Sequence, residues 1–481
     1  METIKGRPGL GRWDIFKYAL GEGAFSVVMN GQSNFAMIFL TQILGLKPAW
    51  ASFSMSIVIL WDAIIDPPMG HISDHTRSRW GRRHPYILVG GCFTALFFFL
   101  FWSLPQLFSS AEWAFLAVLA INLLIRTAIA VYSIPYMALG FDICPQYEAR
   151  AKIQGYRFFL NQIVNFTFGA MAWSLFFQDQ VGADGQRIDG SLIASNYVVM
   201  GAVLASFSAL IVAVCTFGTR RYAVDNRSQP AEHNSPAVFL KDFTSVLGDR
   251  LAARIFIFFA VAMLAIMLMA QVQMFVYIFY MKFTSIEKTA VHGAGMLAFA
   301  AGSLMLPAVV ARLDKKRTAY LAVFLSVSGG LGLLAIFTGG LLVPQQRMVL
   351  LSHTIPVATM AFAFCQMCWW GGCGLLAPLV SSMVADVAAI RQQRTGESKN
   401  AIYASVFAFS TKAAQAVGML LCGTIIQLSG IISGSAQQTP EAVRNISVMM
   451  FTCSPAVMLM ALLILQKYPV SRDYMQKLGL K

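Results

Sequence analysis

The sequence predicts an all-α polytopic membrane protein with twelve transmembrane helices, on three observations. Apolar runs long enough to cross a bilayer recur along the whole chain. Hydrophobic residues make up 57 % and charged residues 12 %, where soluble domains carry about 25 % charged residues. Lysine and arginine also rise and fall from loop to loop. A soluble chain of 481 residues with a net charge of +14 would be read as two or three domains with an affinity for nucleic acid. The composition removes the first reading and the charge distribution the second.

The predicted spans run approximately 15–45, 48–70, 85–105, 111–141, 153–178, 195–217, 252–282, 288–312, 317–339, 348–388, 400–430 and 444–466. The longest exceed the roughly 20 residues a crossing needs, so they should tilt, kink or project into water. The opening residues, METIKGRPGLGRWDIFK, are too polar for a signal peptide. With the N-terminus placed inside, 28 of the 36 Lys and Arg fall in inside segments and six in outside ones. This positive-inside asymmetry predicts both termini in the cytoplasm and accounts for the net charge without nucleic acid. The polar stretch from Thr219 to Arg254 divides six spans from six. The expected layout is therefore an N-terminal bundle over 1–218, a cytoplasmic loop over 219–251 and a C-terminal bundle over 252–481. GHISDHTRSRWGRR after the second span and ARLDKKR after the eighth both place an Asp in a short cationic loop, a weak internal repeat.

The stretch from Trp61 to Tyr86, WDAIIDPPMGHISDHTRSRWGRRHPY, concentrates the chemistry. Asp62 and Asp66 lie four residues apart and share a helix face. A carboxylate in hydrocarbon costs about 2.5–3.5 kcal/mol on insertion scales unless it meets a polar cavity, a proton or a cation. Other spans carry polar stripes at spacings of four or seven: Glu22, Ser26, Asn30 and Asn34; Arg126 and Ser133; Arg157, Asn161 and Asn165. Gln271, Gln273, Tyr277 and Tyr280 follow in the seventh span, Gln366 in the tenth, and Ser410, Thr411, Lys412 and Gln415 in the eleventh. A single Asn or Ser is readily interhelical glue. Six ionisable groups together, Glu22, Asp62, Asp66, Arg126, Arg157 and Lys412, argue for a water-filled cavity. Binding a proton or Na⁺ would relieve the repulsion between Asp62 and Asp66, and a polar substrate nearby would sense the change, which is the physical requirement for symport.

Trp369 and Trp370 suit stacking on the apolar face of a sugar; the alternative is ordinary packed aromatics, and adjacency prevents both from facing one cavity. Cys365, Cys368 and Cys373 have metal-like spacing but sit in an apolar segment, where they read as small packing residues. His71 and His75 stand at a helix end in a basic loop and do not suggest a metal site. No phosphate loop, nucleotide motif or Ser-His-Asp arrangement occurs, so neither an ATP-driven pump nor an enzyme is expected, and no cofactor.

These motifs resemble the glycoside-pentoside-hexuronide cation symporters, a branch of the major facilitator superfamily. The resemblance rests on the paired Asp, the Pro, the Gly-x-x-x-Asp and the Arg-Trp-Gly-Arg of the central stretch, in that order. YALGEGAF, SIPYMALGFDI, YRFF, MVADV with the later Gly396, and Lys412 nine residues after Tyr403 extend it over most of the chain. It implies two six-helix bundles, alternating access and a central sugar site in a bacterial-type inner membrane. It assigns Asp62, Asp66 and the Ser133 position to the cation site, and Arg157 and Lys412 to the sugar and coupling network. It makes Asp74 with Arg77, Arg79, Arg82 and Arg83 a cytoplasmic latch between bundles. With the polar stripes, the expected substrate residues are Glu22, Ser26, Asn30, Arg126, Arg157, Asn161, Trp369, Trp370 and Lys412.

The chain also departs from the pattern. Sodium-using members carry a third carboxylate where Ser133 stands, a hydroxyl where Ala130 stands, and a sugar-binding Asp where Ser26 stands. Na⁺ favours several oxygen ligands and a proton needs one carboxylate, so the losses point to proton coupling. The changes also make the cavity less acidic, and Arg126 suits carboxylate recognition. Either the substrate is an anionic sugar such as a hexuronide, or Arg126 neutralises Glu22, Asp62 or Asp66 and the substrate is neutral. The expectation is a monomeric, cation-coupled glycoside importer; a lipid or amphiphile transporter on the same fold is the alternative.

Overall fold

The computed structural model describes residues 11–76, 78–106, 111–143, 147–169, 171–182, 185–222, 243–350, 353–396 and 400–478. Arg77 and residues 223–242 of the middle loop lie outside them. Among the described residues, twelve long helices follow one another: α1 (Arg12–Ile38), α2 (Pro48–His75), α3 (His84–Trp102), α4 (Ala111–Ile143), α5 (Tyr147–Gly169), α6 (Ala194–Thr219), α7 (Arg250–Phe275), α8 (Ser285–Leu313), α9 (Lys315–Leu333), α10 (Val357–Thr395), α11 (Asn400–Leu428) and α12 (Pro440–Gln466). A short α13 (Arg472–Lys477) closes the chain. Helix is the expected answer in hydrocarbon, where each backbone N–H and C=O must find a partner within its own segment. Ten of these helices are long and apolar enough to cross a membrane by length and composition. The two that fall short, α1 and α5, carry the polar stripes.

Local sequence sets several helix starts. Asp249 accepts from Leu251 N, Thr439 from Ala442 N and Ser471 from Tyr474 N. Thr284 and Glu287 form a reciprocal capping box at the head of α8. Two sequence expectations need correction. The tenth span does not begin at 348: Met348–Leu350 and His353–Ile355 pair as an antiparallel hairpin, β3–β4, and the helix starts at Val357 after Pro356. The fifth span ends at Gly169 rather than 178; a single turn, Ala172–Leu175, and a small hairpin, β1 (Gln180–Val181) with β2 (Arg187–Ile188), follow it.

Close packing divides the chain into two units, Met1–Leu46 with Ile57–Ala231, and Lys47–Ser56 with Glu232–Lys481. The first turns of α2 thus group with the second unit, where a Cβ at Gly423 would overlap Ser52, rather than with the N-terminal bundle to which the sequence reading gave them. Inside the units the helix pairing repeats. α1 packs on α5 and α6, and α3 on α4 and α6; likewise α7 packs on α11 and α12, and α9 on α10 and α12. The C-terminal ends of α1 and α7 repeat one hydrogen-bond pattern. Each runs into a π turn, Phe39–Ile43 and Val276–Tyr280. Leu44 N and Leu46 N reach Phe39 O and Leu40 O, as Met281 N and Phe283 N reach Val276 O and Tyr277 O. The next residue, Gly45 or Lys282, has a positive φ. Two folded units built on one plan make this chain an all-α major facilitator fold.

The second unit depends on close helix approach. At Gly374 of α10 a Cβ would overlap the backbone of Phe299 on α8, and backbone cannot step aside as a side chain can. Gly374→Val should therefore cost about 1–3 kcal/mol by overpacking. Its unfolding midpoint in detergent should fall by several degrees, and an unchanged midpoint would refute this account of the α8–α10 seam.

Candidate substrate and cation site

The polar stripes of α1 and α5 meet as rungs. Glu22 faces Arg157, Ser26 faces Asn161 and Asn30 faces Asn165, each pair separated by 135 residues. A constant offset means the two helices run in the same direction in matched register. Four residues rise about 6 Å, so the three rungs span about 12 Å. On the first rung Arg157 Nε and Nη2 both donate to Glu22 Oε2, at 2.9 and 2.5 Å. The Arg157 guanidinium also lies 5.1 Å from the centre of the Tyr136 ring of α4, a cation–π contact. On the second, Asn161 Nδ2 donates to Ser26 Oγ at 2.6 Å. Asn30 Nδ2 donates to Asn165 Oδ1 on the third. Asn165 Nδ2 returns to Asn161 Oδ1 at 2.9 Å, and Asn30 Nδ2 reaches Ser26 O at 2.7 Å, joining the second and third rungs. Tyrosines tie the N-terminal half of α1 to α4: Tyr18 and Tyr136 hydroxyls each donate to the other's carbonyl, and Tyr132 donates to Gly21 O.

A second cluster joins α2 to α4. Arg126 Nη1 lies 3.0 Å from Asp62 Oδ2 and donates to Met29 Sδ of α1 at 3.1 Å. Trp61 Nε1 donates to Thr127 Oγ1 at 2.9 Å beside it. Arg126 Nε is buried with no partner among the described residues. Asp66 lies one turn along α2, half-buried and engaged. Ser133 is buried on α4 two turns from Arg126. Ala130 is buried too and offers no side-chain oxygen. Among the described residues no group of three or more His, Cys, Asp or Glu could hold a metal.

Six residues expected at the site, Glu22, Ser26, Asn30, Arg126, Arg157 and Asn161, thus join two connected clusters with Asp62. The tryptophans do not. Trp369 is fully buried in the second unit, its Nε1 without a partner among the described residues, and the Trp370 ring fills the space left by Gly295. Both rings are buried within the second unit. Lys412 is half-buried and engaged on α11, and the Tyr403 hydroxyl donates to Asp249 Oδ2 at 2.5 Å. In the loop after α2, Asp74 Oδ1 is 3.2 Å from Arg83 Nη2, Arg82 is half-buried and engaged, and Arg79 is exposed. Trp80 of this loop lies under Arg220, 4.7 Å from ring centre to guanidinium carbon.

Sequence reasoning undervalued several residues. Asn165 stood in a recognised stripe without a role, yet it ties two rungs together. Met29 and Tyr136 gave no signal beyond their apolar surroundings. The pair of Gln366 Nε2 on Gln273 Oε1 at 3.2 Å joins two polar positions that the periodicity marked on separate helices.

The first rung is a buried ion pair, with side-chain exposures of 9 % and 11 %. Removing one partner leaves an uncompensated buried charge, at a cost of about 3–5 kcal/mol. Glu22→Gln should sharply reduce monodisperse protein on size exclusion, and Glu22→Gln with Arg157→Gln should recover much of it. Additive losses in the double variant would show that the two side chains are not coupled.

The family model described as "MFS/sugar transport protein" matches residues 17–472. The chain is 23 % identical to the glucuronide carrier protein homolog of Escherichia coli, over 95 % of this chain and 92 % of the relative. It is 22 % identical to the sodium-dependent lysophosphatidylcholine symporter 1-A of Danio rerio, over 96 % and 86 %. A bacterial homolog of the human lysosomal transporter Spinster superposes with a TM-score of 0.65 at 11 % identity, over 96 % and 97 %, and shares the fold. The chain belongs to the MFS/sugar transport protein family of the major facilitator superfamily and is an integral membrane protein.

Proposed function

We propose that this chain is a proton-coupled symporter of glycosides, hexuronides among them, working by alternating access. The observation that carries the coupling ion is Arg126 at 3.0 Å from Asp62. The guanidinium on the carboxylate occupies an oxygen that Na⁺, which favours several oxygen ligands, would need. Ser133 and Ala130 supply less than the ligands they replace. A proton needs only one carboxylate oxygen. For the substrate, Ser26, Asn30, Asn161 and Asn165 form a short ladder of donors and acceptors suited to sugar hydroxyls. Arg126 is already on Asp62, the arrangement expected for a neutral glycoside, so a substrate carboxylate would have to share its remaining donors. The name of the Escherichia coli relative, a glucuronide carrier protein homolog, supports the hexuronide. The charge asymmetry of the loops supports both termini in the cytoplasm, and the bacterial relative supports an inner membrane. The reading needs no cofactor beyond the coupling ion, and one chain carries both units, so a monomer suffices.

A second reading, transport of a lysolipid or similar amphiphile, is favoured by the zebrafish relative, which is named a sodium-dependent lysophosphatidylcholine symporter. The amide rungs of α1 and α5 weigh against it, since a long acyl chain leaves such groups unpaired.

Proton movement in lightly buffered, Na⁺-free, de-energised cells separates these readings. A pulse of phenyl glucuronide should alkalinise the medium, and the signal should disappear in Asp62→Asn. Uptake without a pH change that appears only on adding Na⁺ would overturn the proton reading. Uptake of lysophosphatidylcholine in place of both glucuronide and glucoside would establish the second.

A further inference from the structure

The seam between α8 and α10 stops part-way along the two helices. Thr359 Oγ1 donates to Glu287 Oε1 across 72 residues and Ser303 Oγ to Gly374 O across 71, so the helices run in the same direction. Between those contacts the backbones touch: a Cβ at Gly302 would overlap Gly371 O, and one at Gly374 would overlap Phe299. Each helix then meets a proline in its interior, Pro307 in α8 and Pro378 in α10. Their separation matches that of Ser303 and Gly374, so the two prolines stand at one level. Proline lacks the amide donor, and its ring pushes on the carbonyl four residues back. In α10 that carbonyl is Gly374 O, and Ser303 Oγ supplies the lost donor at 2.8 Å. Such compensation is expected where a membrane helix breaks its own ladder.

Beyond the prolines the seam gives way to a cavity of about 620 Å³. Val310 and Asp314 line it from the α8 side, Met383 and Asp386 from α10, and Tyr468 and Met475 from the C-terminal segment. That segment, residues 467–478, bridges the two sides. Towards α8, Arg472 Nη2 donates to Val310 O and Ala311 O, and Arg472 N to Asp314 Oδ2, each at 3.0 Å. Towards α10, Arg394 Nη2 donates to the Tyr474 hydroxyl at 2.9 Å and Gln393 Nε2 donates to Leu478 O. Lys316 on Tyr468 O and Arg254 on Lys467 O, both at 2.7 Å, fix its root. The inner half of α10 is also held by Lys315 on Asp386 at 2.6 Å and by Arg391 on Ser245 Oγ at 3.0 Å. Arg394, Gln393 and Arg472 are exposed, and hydrogen bonds of that kind exchange with water at little net cost. The backbone contacts of the seam have no such substitute.

We propose that the part of α10 beyond Pro378 is an arm hinged at that proline, and that residues 467–478 are the catch that holds it off the end of α8. The cavity is the space into which the arm closes. The glycine seam holds the first part of α10 still, so that bending concentrates at the break in the helix ladder. In a cycle of alternating access the catch sets when the inner end of the second unit changes shape. The device is independent of which solute or ion is carried.

The test reads the gap directly. Spin labels on p-acetylphenylalanine introduced at Arg312 and Gln392, both exposed, are measured by double electron–electron resonance in the full-length protein in lipid nanodiscs. With the catch intact one distance population is expected. Gln393→Ala with Arg394→Ala frees the α10 side of the catch and should add a second, shorter population. Arg472→Ala, which frees the α8 side, should add the same one. Pro378→Ala restores a donor for Gly374 O and should remove the short population from the Gln393→Ala, Arg394→Ala protein. A longer distance in the catch variants would overturn the proposal, because the segment would then be drawing the two helices together. One unchanged population in both catch variants would overturn it too. A short population that persists undiminished with Pro378→Ala would show that the hinge is not at this proline.

Discussion

A charge placed within hydrocarbon must find its counter-charge inside the chain, and the first unit is arranged around that constraint. Among the described residues, carboxylates of α1 and α2 meet guanidiniums of α5 and α4 as Glu22–Arg157 and Asp62–Arg126, with Asp66 one turn along α2 from the second pair. Each pair bridges two helices, so meeting the electrostatic requirement also fixes which helices lie side by side. The remaining polar residues extend the same logic with neutral groups. Ser26 with Asn161 and Asn30 with Asn165 continue the register that the first rung sets.

The two pairs have separate consequences. The first is saturated with donors and supported by an aromatic ring, which gives it the character of a structural joint. The second is one contact strong and lies beside Asp66 and Ser133, where the coupling ion is expected. Saturated joints of the first kind hold neighbouring helices in register, while the second pair keeps a donor of Arg126 open. The second unit supplies the rigid kind through close backbone approach at α8 and α10 and through buried aromatics such as Trp369.

Much of the fold was legible because bilayer physics leaves few alternatives. Helix number follows from apolar run lengths. The start of α10 was misread because the residues from 348 to 355 are apolar enough to continue a span, and only Pro356 hints that they form a separate hairpin. Spacing by four placed Glu22, Ser26 and Asn30 on one face, and Arg157, Asn161 and Asn165 on another. It could not say that these faces meet, since periodicity describes one helix at a time. For the same reason the partner of Arg126 stayed open among three carboxylates until the geometry selected Asp62. The tryptophans misled because an aromatic pair beside Gln366 looks alike whether it lines a cavity or fills a helix seam.

The most direct measurement is uptake of a radiolabelled glucuronide into proteoliposomes under separately imposed gradients. A proton accompanying a uronate anion moves no net charge. The account predicts accumulation driven by a pH gradient, acid outside, and unaffected by a potassium diffusion potential of either sign. Accumulation driven by a Na⁺ gradient at equal pH on both sides would contradict it.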